Sequence, residues 1–202
     1  MQILSVRGGA PLRGSIPVSG AKNSVLPILA ACAICRGVSV LHNCPDISDV
    51  GDTLEILRCL GCRAERRGGS LIVDARTLCG WQLSAQYAGR LRSSVLFLGA
   101  LLARMGRARI ALPGGCPLGK RPIDLHVLAL QTLGAQVAVG RHFAECRAEE
   151  LRGGRIRLPF ASVGATENAI LAAVGCDGET VIENAAREPE IGDLVRFLRA
   201  AG

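Results

Sequence analysis

The chain has 202 residues, of which 49% are hydrophobic and 20% charged: enough apolar material for one sizeable domain, and too much for a disordered chain. No apolar run approaches a membrane span and residues 1–9 carry no signal-peptide core, so the expectation is a soluble, cytoplasmic protein. The net charge of +7 is almost all arginine, with Lys22 and Lys120 the only lysines. Dispersed arginine forks suit the phosphate or carboxylate of a small molecule, whereas a nucleic-acid surface needs a denser stripe and more aromatic rings.

Residues 2–18 read as a separate pair of strands around Gly8-Gly9 and Arg13-Gly14. Beyond them the chain repeats itself three times, with a period of about 70 residues. Each repeat opens on an apolar helix (21–34, 91–105 and 165–174). A short strand follows Gly37, Gly106 or Gly178, and then an amphipathic helix over 49–60, 123–133 or 191–201. The second helices end at Leu60-Gly61, Leu133-Gly134 and Ala201-Gly202, where glycine suits a left-handed cap. A hairpin with a Gly68-Gly69 turn follows the first cap, and a second hairpin turning near Gly140-Arg141-His142 follows the next. The third repeat has no such hairpin, which predicts a chain cut short and a sheet edge left unpaired.

A helix apolar on every face belongs inside a domain. Three of them with three sheets outside predict an inside-out α/β assembly; a doubly wound parallel sheet competes, but the hairpins disfavour it.

Nine cysteines without a secretion signal predict reduced thiols. Cys32-x-x-Cys35 and Cys59-x-x-Cys62 have the spacing of paired zinc knuckles, but they sit in an apolar helix and at a helix end. Between 113 and 122 three glycines and three prolines build a special loop with Cys116 at its tip, followed by Lys120 and Arg121. Cations and a helix start nearby lower a thiol pKa and make it a candidate reactive group. Lys22-Asn23, Arg92 and Ser162-Val163-Gly164 open the three internal helices. Three such starts together would focus their dipoles on one anion.

Gly20-Ala21-Lys22-Asn23, Pro113-Gly114-Gly115-Cys116, Arg121-Pro122-Ile123-Asp124-Leu125-His126, Ser162-Val163-Gly164-Ala165-Thr166 and the stretch from Glu183 to Glu190 resemble the UDP-N-acetylglucosamine 1-carboxyvinyltransferases, a family of enolpyruvyl transferases. The resemblance implies an inside-out α/β barrel of enolpyruvyl-transferase type, of which this chain is the N-terminal half. It implies a nucleotide-sugar domain over 22–202, with residues 1–21 pairing with an absent second domain. It further implies transfer of the enolpyruvyl group from phosphoenolpyruvate to the 3-hydroxyl of UDP-N-acetylglucosamine, the step that opens peptidoglycan precursor synthesis. No cofactor, metal, nucleic acid or membrane is called for.

On this resemblance Cys116 is the catalytic loop cysteine, able to form an adduct with phosphoenolpyruvate. Lys22 and Arg92 bind the phosphoenolpyruvate end, and Asn23 sits between the substrates. Arg121, Pro122, Ile123, Asp124 and Leu125 hold the uridine and diphosphate, and Ser162, Val163 and Gly164 lie beneath the diphosphate. Phe160 departs from relatives that carry a lysine there. The base for the sugar hydroxyl lies in the other domain, so little or no turnover is expected of this chain alone. The alternatives are a standalone sugar-nucleotide or anion-binding module, and a zinc-dependent nucleic-acid binder.

Overall fold

The computed structural model describes residues 3–9, 11, 13–112 and 122–202; Cys116, Lys120 and Arg121 lie outside the described residues. The first repeat comprises α1 (Lys22–Cys32), β1 (Val38–Leu41), α2 (Ser48–Cys59), β2 (Arg63–Arg67) and β3 (Ser70–Asp74). The second comprises β4 (Gln82–Leu83), α3 (Ala85–Ala88), a 3-10 turn at Arg92–Leu96, α4 (Phe97–Met105), β5 (Arg107–Ala111), α5 (Asp124–Thr132), β6 (Gln136–Val139) and β7 (Phe143–Arg147). The third comprises β8 (Arg155–Arg157), α6 (Val163–Ala173), β9 (Val181–Glu183) and α7 (Pro189–Ala201).

Each repeat contributes its own sheet, in the orders β1-β3-β2, β4-β5-β7-β6 and β8-β9. The Gly68-Gly69 turn closes β2 onto β3, with Arg67 opposite Ser70, and β6 pairs β7 in the same antiparallel way. Equivalent helix ends use equivalent bonds: Gly61 donates to the Arg58 carbonyl and Cys62 to Leu57, as Gly134 donates to Gln131 and Ala135 to Leu130. Both glycines sit at φ 95°, a conformation that costs an L-residue about 1 kcal/mol or more.

The internal helices α1, α4 and α6 carry the core. Leu29, Leu98, Leu101, Ala165, Ala169 and Leu171 are fully buried. Close approach of α4 and α6 depends on Gly99: a Cβ there would stand 2.4 Å from the Asn168 Oδ1 and 2.5 Å from its carbonyl oxygen. Asn168 uses that proximity. Its Oδ1 accepts from the Gly99 N–H at 2.7 Å, and its Nδ2 donates to the Val95 carbonyl at 3.2 Å and lies 3.0 Å from the His126 Nδ1.

Three expectations are corrected. The predicted strands within 2–18 are not formed: the described residues there have no regular structure, and Ile3, Leu4, Val6, Ile16 and Val18 are each at least 80% exposed. A strand needs hydrogen-bonding neighbours and a face to bury, and this segment has neither among the described residues. The second internal helix begins as a 3-10 turn, held by the Ser94 hydroxyl donating to the Ala88 carbonyl at 3.0 Å. Finally, β4 and β8 precede their internal helices and pair in parallel with β5 and β9. At two and three residues they are too short to show a period in the sequence.

Candidate functional site

The helix starts gather at one end of the domain. The 3-10 turn packs against α1 and α6, and α7 packs against both as well. On α1, the Lys22 ammonium pairs with the Asp49 carboxylate of α2 at 2.5 Å, and the Asn23 Nδ2 donates to Glu190 of α7 at 3.3 Å. Ser24 donates to Asp193 of α7 at 2.5 Å, which, ahead of Arg196, holds that carboxyl below its usual range. The first turn of α1 is therefore fastened to two neighbouring helices by carboxylates. Pro27 has no N–H to offer the Asn23 carbonyl, so this turn keeps an acceptor for use outside the helix.

At α6 the N-terminal amides divide cleanly. Ser162 caps the helix: its hydroxyl accepts from the Ala165 N–H at 3.4 Å, while its carbonyl accepts from Thr166 at 2.9 Å. The N–H groups of Val163 and Gly164 have no partner among the described residues. Two adjacent amides on the positive end of an 11-residue helix are donors of the kind that can receive an anion. The His126 ring stands over them, with its Cε1 3.3 Å from where a Gly164 Cβ would lie.

Burial pushes the His126 pKa down to about 4, against a smaller opposing pull from Asp124, so the ring is neutral at pH 7. With Nδ1 placed to accept from the Asn168 amide, the proton belongs on Nε2.

The sequence expectation thus brings Lys22, Asn23, Arg92, Ser162, Val163 and Gly164 to one end of the fold. Arg92 is exposed, with no paired carboxylate among the described residues. Pro122, Ile123, Asp124 and Leu125 lead into α5 and its first turn, with Asp124 exposed and Leu125 buried. Cys116 and Arg121 fall outside the described residues.

Sequence reasoning missed the acidic counterpart. Glu167, one turn into α6, is 6% exposed, and burial, followed by the charges of Glu190 and Glu188, pushes its pKa up to about 8. The signal was present in the Glu183–Glu190 stretch, but nothing in the sequence brings it to α6. The loop is fastened there by the Ala186 N–H donating to Thr166 Oγ1 at 3.0 Å and by Asn184 Nδ2 donating to the Leu158 carbonyl at 2.8 Å.

Burial disfavours the thiolate at several of the described cysteines. Burial pushes Cys62 up to about 11 and Cys146 up to about 12, and it raises Cys32 as well. Among the described residues no three His, Cys, Asp or Glu side chains gather to hold a metal ion. Nor is any helix among them long and apolar enough to cross a membrane.

The chain is 47% identical over 197 residues to UDP-N-acetylglucosamine 1-carboxyvinyltransferase 2 of Caldanaerobacter subterraneus, covering 98% of this chain and 47% of the relative. It is 49% identical to UDP-N-acetylglucosamine 1-carboxyvinyltransferase 1 of Symbiobacterium thermophilum, covering 98% of this chain and 46% of the relative. The chain thus spans less than half the length of these curated relatives. Among solved structures, the enolpyruvyl transferase NikO from Streptomyces tendae superimposes with a TM-score of 0.83 at 27% identity, over 95% of this chain and 45% of that one. EPSP synthase from Acinetobacter baumannii shares the fold, with a TM-score of 0.70 at 21% identity, over 89% and 42%. The sequence pattern of the EPSP synthase (3-phosphoshikimate 1-carboxyvinyltransferase) family matches residues 6–202, and the chain belongs to that family.

Proposed function

We propose that this chain forms the nucleotide-sugar side of a carboxyvinyl transfer site, where the enolpyruvyl group of phosphoenolpyruvate passes to the 3-hydroxyl of UDP-N-acetylglucosamine and phosphate leaves. The observation that supports this reading is that Lys22, Asn23, Arg92 and the two amides of α6 without a partner among the described residues all lie at the starts of the packed internal helices. The names of the relatives support a sugar nucleotide as the anion of this site.

In this reading the diphosphate rests on Val163 and Gly164, and Lys22 and Arg92 face the carboxylate and phosphate of phosphoenolpyruvate. The sugar oxygen attacks C2 of the enolpyruvyl group as the methylene carbon takes a proton from Cys116. A proton then leaves the new methyl as the carbon–oxygen bond to phosphate breaks. Cations stabilise this path because negative charge builds on the phosphate as the tetrahedral intermediate forms and collapses. The base for the sugar hydroxyl comes from the complementary half of the relatives' length. Residues 1–21 pair with that half, which is what their exposed apolar side chains await. The whole enzyme is cytoplasmic and serves peptidoglycan precursor synthesis.

Calorimetric titration with UDP-N-acetylglucosamine tests this. Saturable binding is expected, weakened about 10-fold in Val163→Pro, since a hydrogen bond to a charged group is worth roughly 1.5 kcal/mol. Proline is favoured at the first helical position, and Ser162 already has extended backbone, so the variant removes one N–H and keeps the helix. A folded chain that gives no heat with the nucleotide sugar would overturn the reading. Phosphate release from both substrates should be negligible with this chain alone, and ordinary turnover would refute the half-site assignment.

A further inference from the structure

The outward face of the second sheet carries two neighbouring rungs of opposite kind. Along β5 and β7, Ala108, Ile110, Ala144 and Cys146 are buried in the core, so Arg107, Arg109, Glu145 and Arg147 share the other face. Arg109 stands opposite Glu145, and their charges meet at 3.5 Å. In the next rung Arg107 stands opposite Arg147, and neither pairs with a carboxylate among the described residues. Like charges directly opposed across a sheet are destabilising. An anion seated between the two guanidiniums would remove that cost.

Both guanidiniums are steadied by neutral groups. Arg107 lies 4.5 Å over the Trp81 ring, and the Trp81 carbonyl accepts from the Arg109 N–H at 2.9 Å. Stacking covers one face of the guanidinium and leaves the N–H groups in its plane available. From β6, the Gln136 Oε1 accepts from the Arg147 Nε at 2.9 Å, so the two terminal nitrogens remain for a ligand.

Two such forks on adjacent strands match the several oxygens of a phosphoryl group. Nucleobases suit the face less well, because Arg107 and Arg109 already cover Trp81 and Phe143, the latter at 4.1 Å. The rung is exposed, and exposed ion pairs are weak, so a free phosphate would be held poorly. A phosphoryl group carried on a chain adds its neighbours' contacts to the hold.

We infer that the Arg107–Arg147 rung is a docking site for a phosphorylated segment of a partner protein. It does not depend on the carboxyvinyl-transfer reading.

Fluorescence anisotropy of the whole chain tests this, with a labelled pool of short peptides that carry phosphoserine at the centre and random flanks. The unphosphorylated pool and an oligouridylate are run beside it. The phosphopeptides should bind saturably, less tightly as salt rises, and about 10-fold more weakly to Arg107→Gln or Arg147→Gln. Arg155→Gln lies on the third sheet, where Arg155 pairs with Glu183, and should bind as the parent does. All three side chains are exposed, so the variants keep the core, which far-ultraviolet circular dichroism verifies. Absence of phosphopeptide binding, equal binding by Arg107→Gln and Arg147→Gln, or equal binding of the unphosphorylated pool would each overturn the proposal. Tighter binding of the oligouridylate, lost in the same two variants, would overturn it too and assign the face to nucleic acid.

Discussion

Gly99→Ala is expected to destabilise the chain by about 3–5 kcal/mol, close to the whole stability of a marginal domain. The added methyl would stand 2.4 and 2.5 Å from two oxygens of Asn168 and 3.2 Å from the Ala172 nitrogen. Two of these three atoms are backbone, so no rotamer change clears the space. The helices must separate, and separation breaks the 2.7 Å bond from the Gly99 N–H to Asn168. That bond satisfies one of the amides that α4 would otherwise leave bare near its start, in a place water does not reach. The expected result in urea is a large drop in midpoint with an unchanged slope, or no cooperative transition at all. A change under 1 kcal/mol would mean that α4 and α6 do not approach as closely as described. Asn168→Ala gives the complementary measurement, as it makes room while removing the same bond.

Glu167 makes the second large effect, and its sign depends on pH. A carboxyl whose pKa is raised by folding, here from 4.5 to about 8, binds its proton more tightly in the native state. Its contribution is fully present below pH 4.5 and is lost progressively as pH rises to about 8. His126, lowered from 6.5 to about 4, acts oppositely: it favours the fold above pH 6.5 and loses that advantage as pH falls to about 4. Between about pH 4.5 and 6.5 the two slopes oppose each other. Above 6.5 the Glu167 slope acts alone, and stability should fall by about 2 kcal/mol between pH 6.5 and 8.5. Glu167→Gln keeps the shape and removes the charge. It should abolish this fall and make the chain more stable than its parent at pH 8.5 by about 3–5 kcal/mol. Denaturant unfolding at pH 6.5 and 8.5 decides the matter. A parent chain equally stable at both values, or a less stable Gln variant at pH 8.5, would show that Glu167 is not buried against Glu188 and Glu190.

Much of the fold is legible in local pattern. The largely apolar bodies of α1, α4 and α6, the Gly68-Gly69 turn and the caps at Gly61 and Gly134 each follow from physics that acts within a few residues. Where the reading fell short, the missing information was a partner. A pair of strands over 2–18 is a reasonable local reading, yet no sheet forms without a neighbouring edge. The segments β4 and β8 are strands only because β5 and β9 run beside them.

The site divides the same way. Lys22, Asn23, Arg92 and the Ser162-Val163-Gly164 start stand out in the sequence because cationic and amide groups at the head of an apolar helix are chemically conspicuous. Glu167 does not: its raised pKa comes from burial and from the loop between β9 and α7 folding back onto α6.

By itself, then, the amino-acid order determined the threefold repeat, the identity of the internal helices and which helix starts could hold an anion, because helix periodicity, glycine caps and terminal amides are local properties. Only the tertiary structure decided which carboxylates answer those starts and how a buried glutamate keeps its proton at neutral pH. Desolvation and close contact between distant segments set those features, and neither exists until the chain has packed.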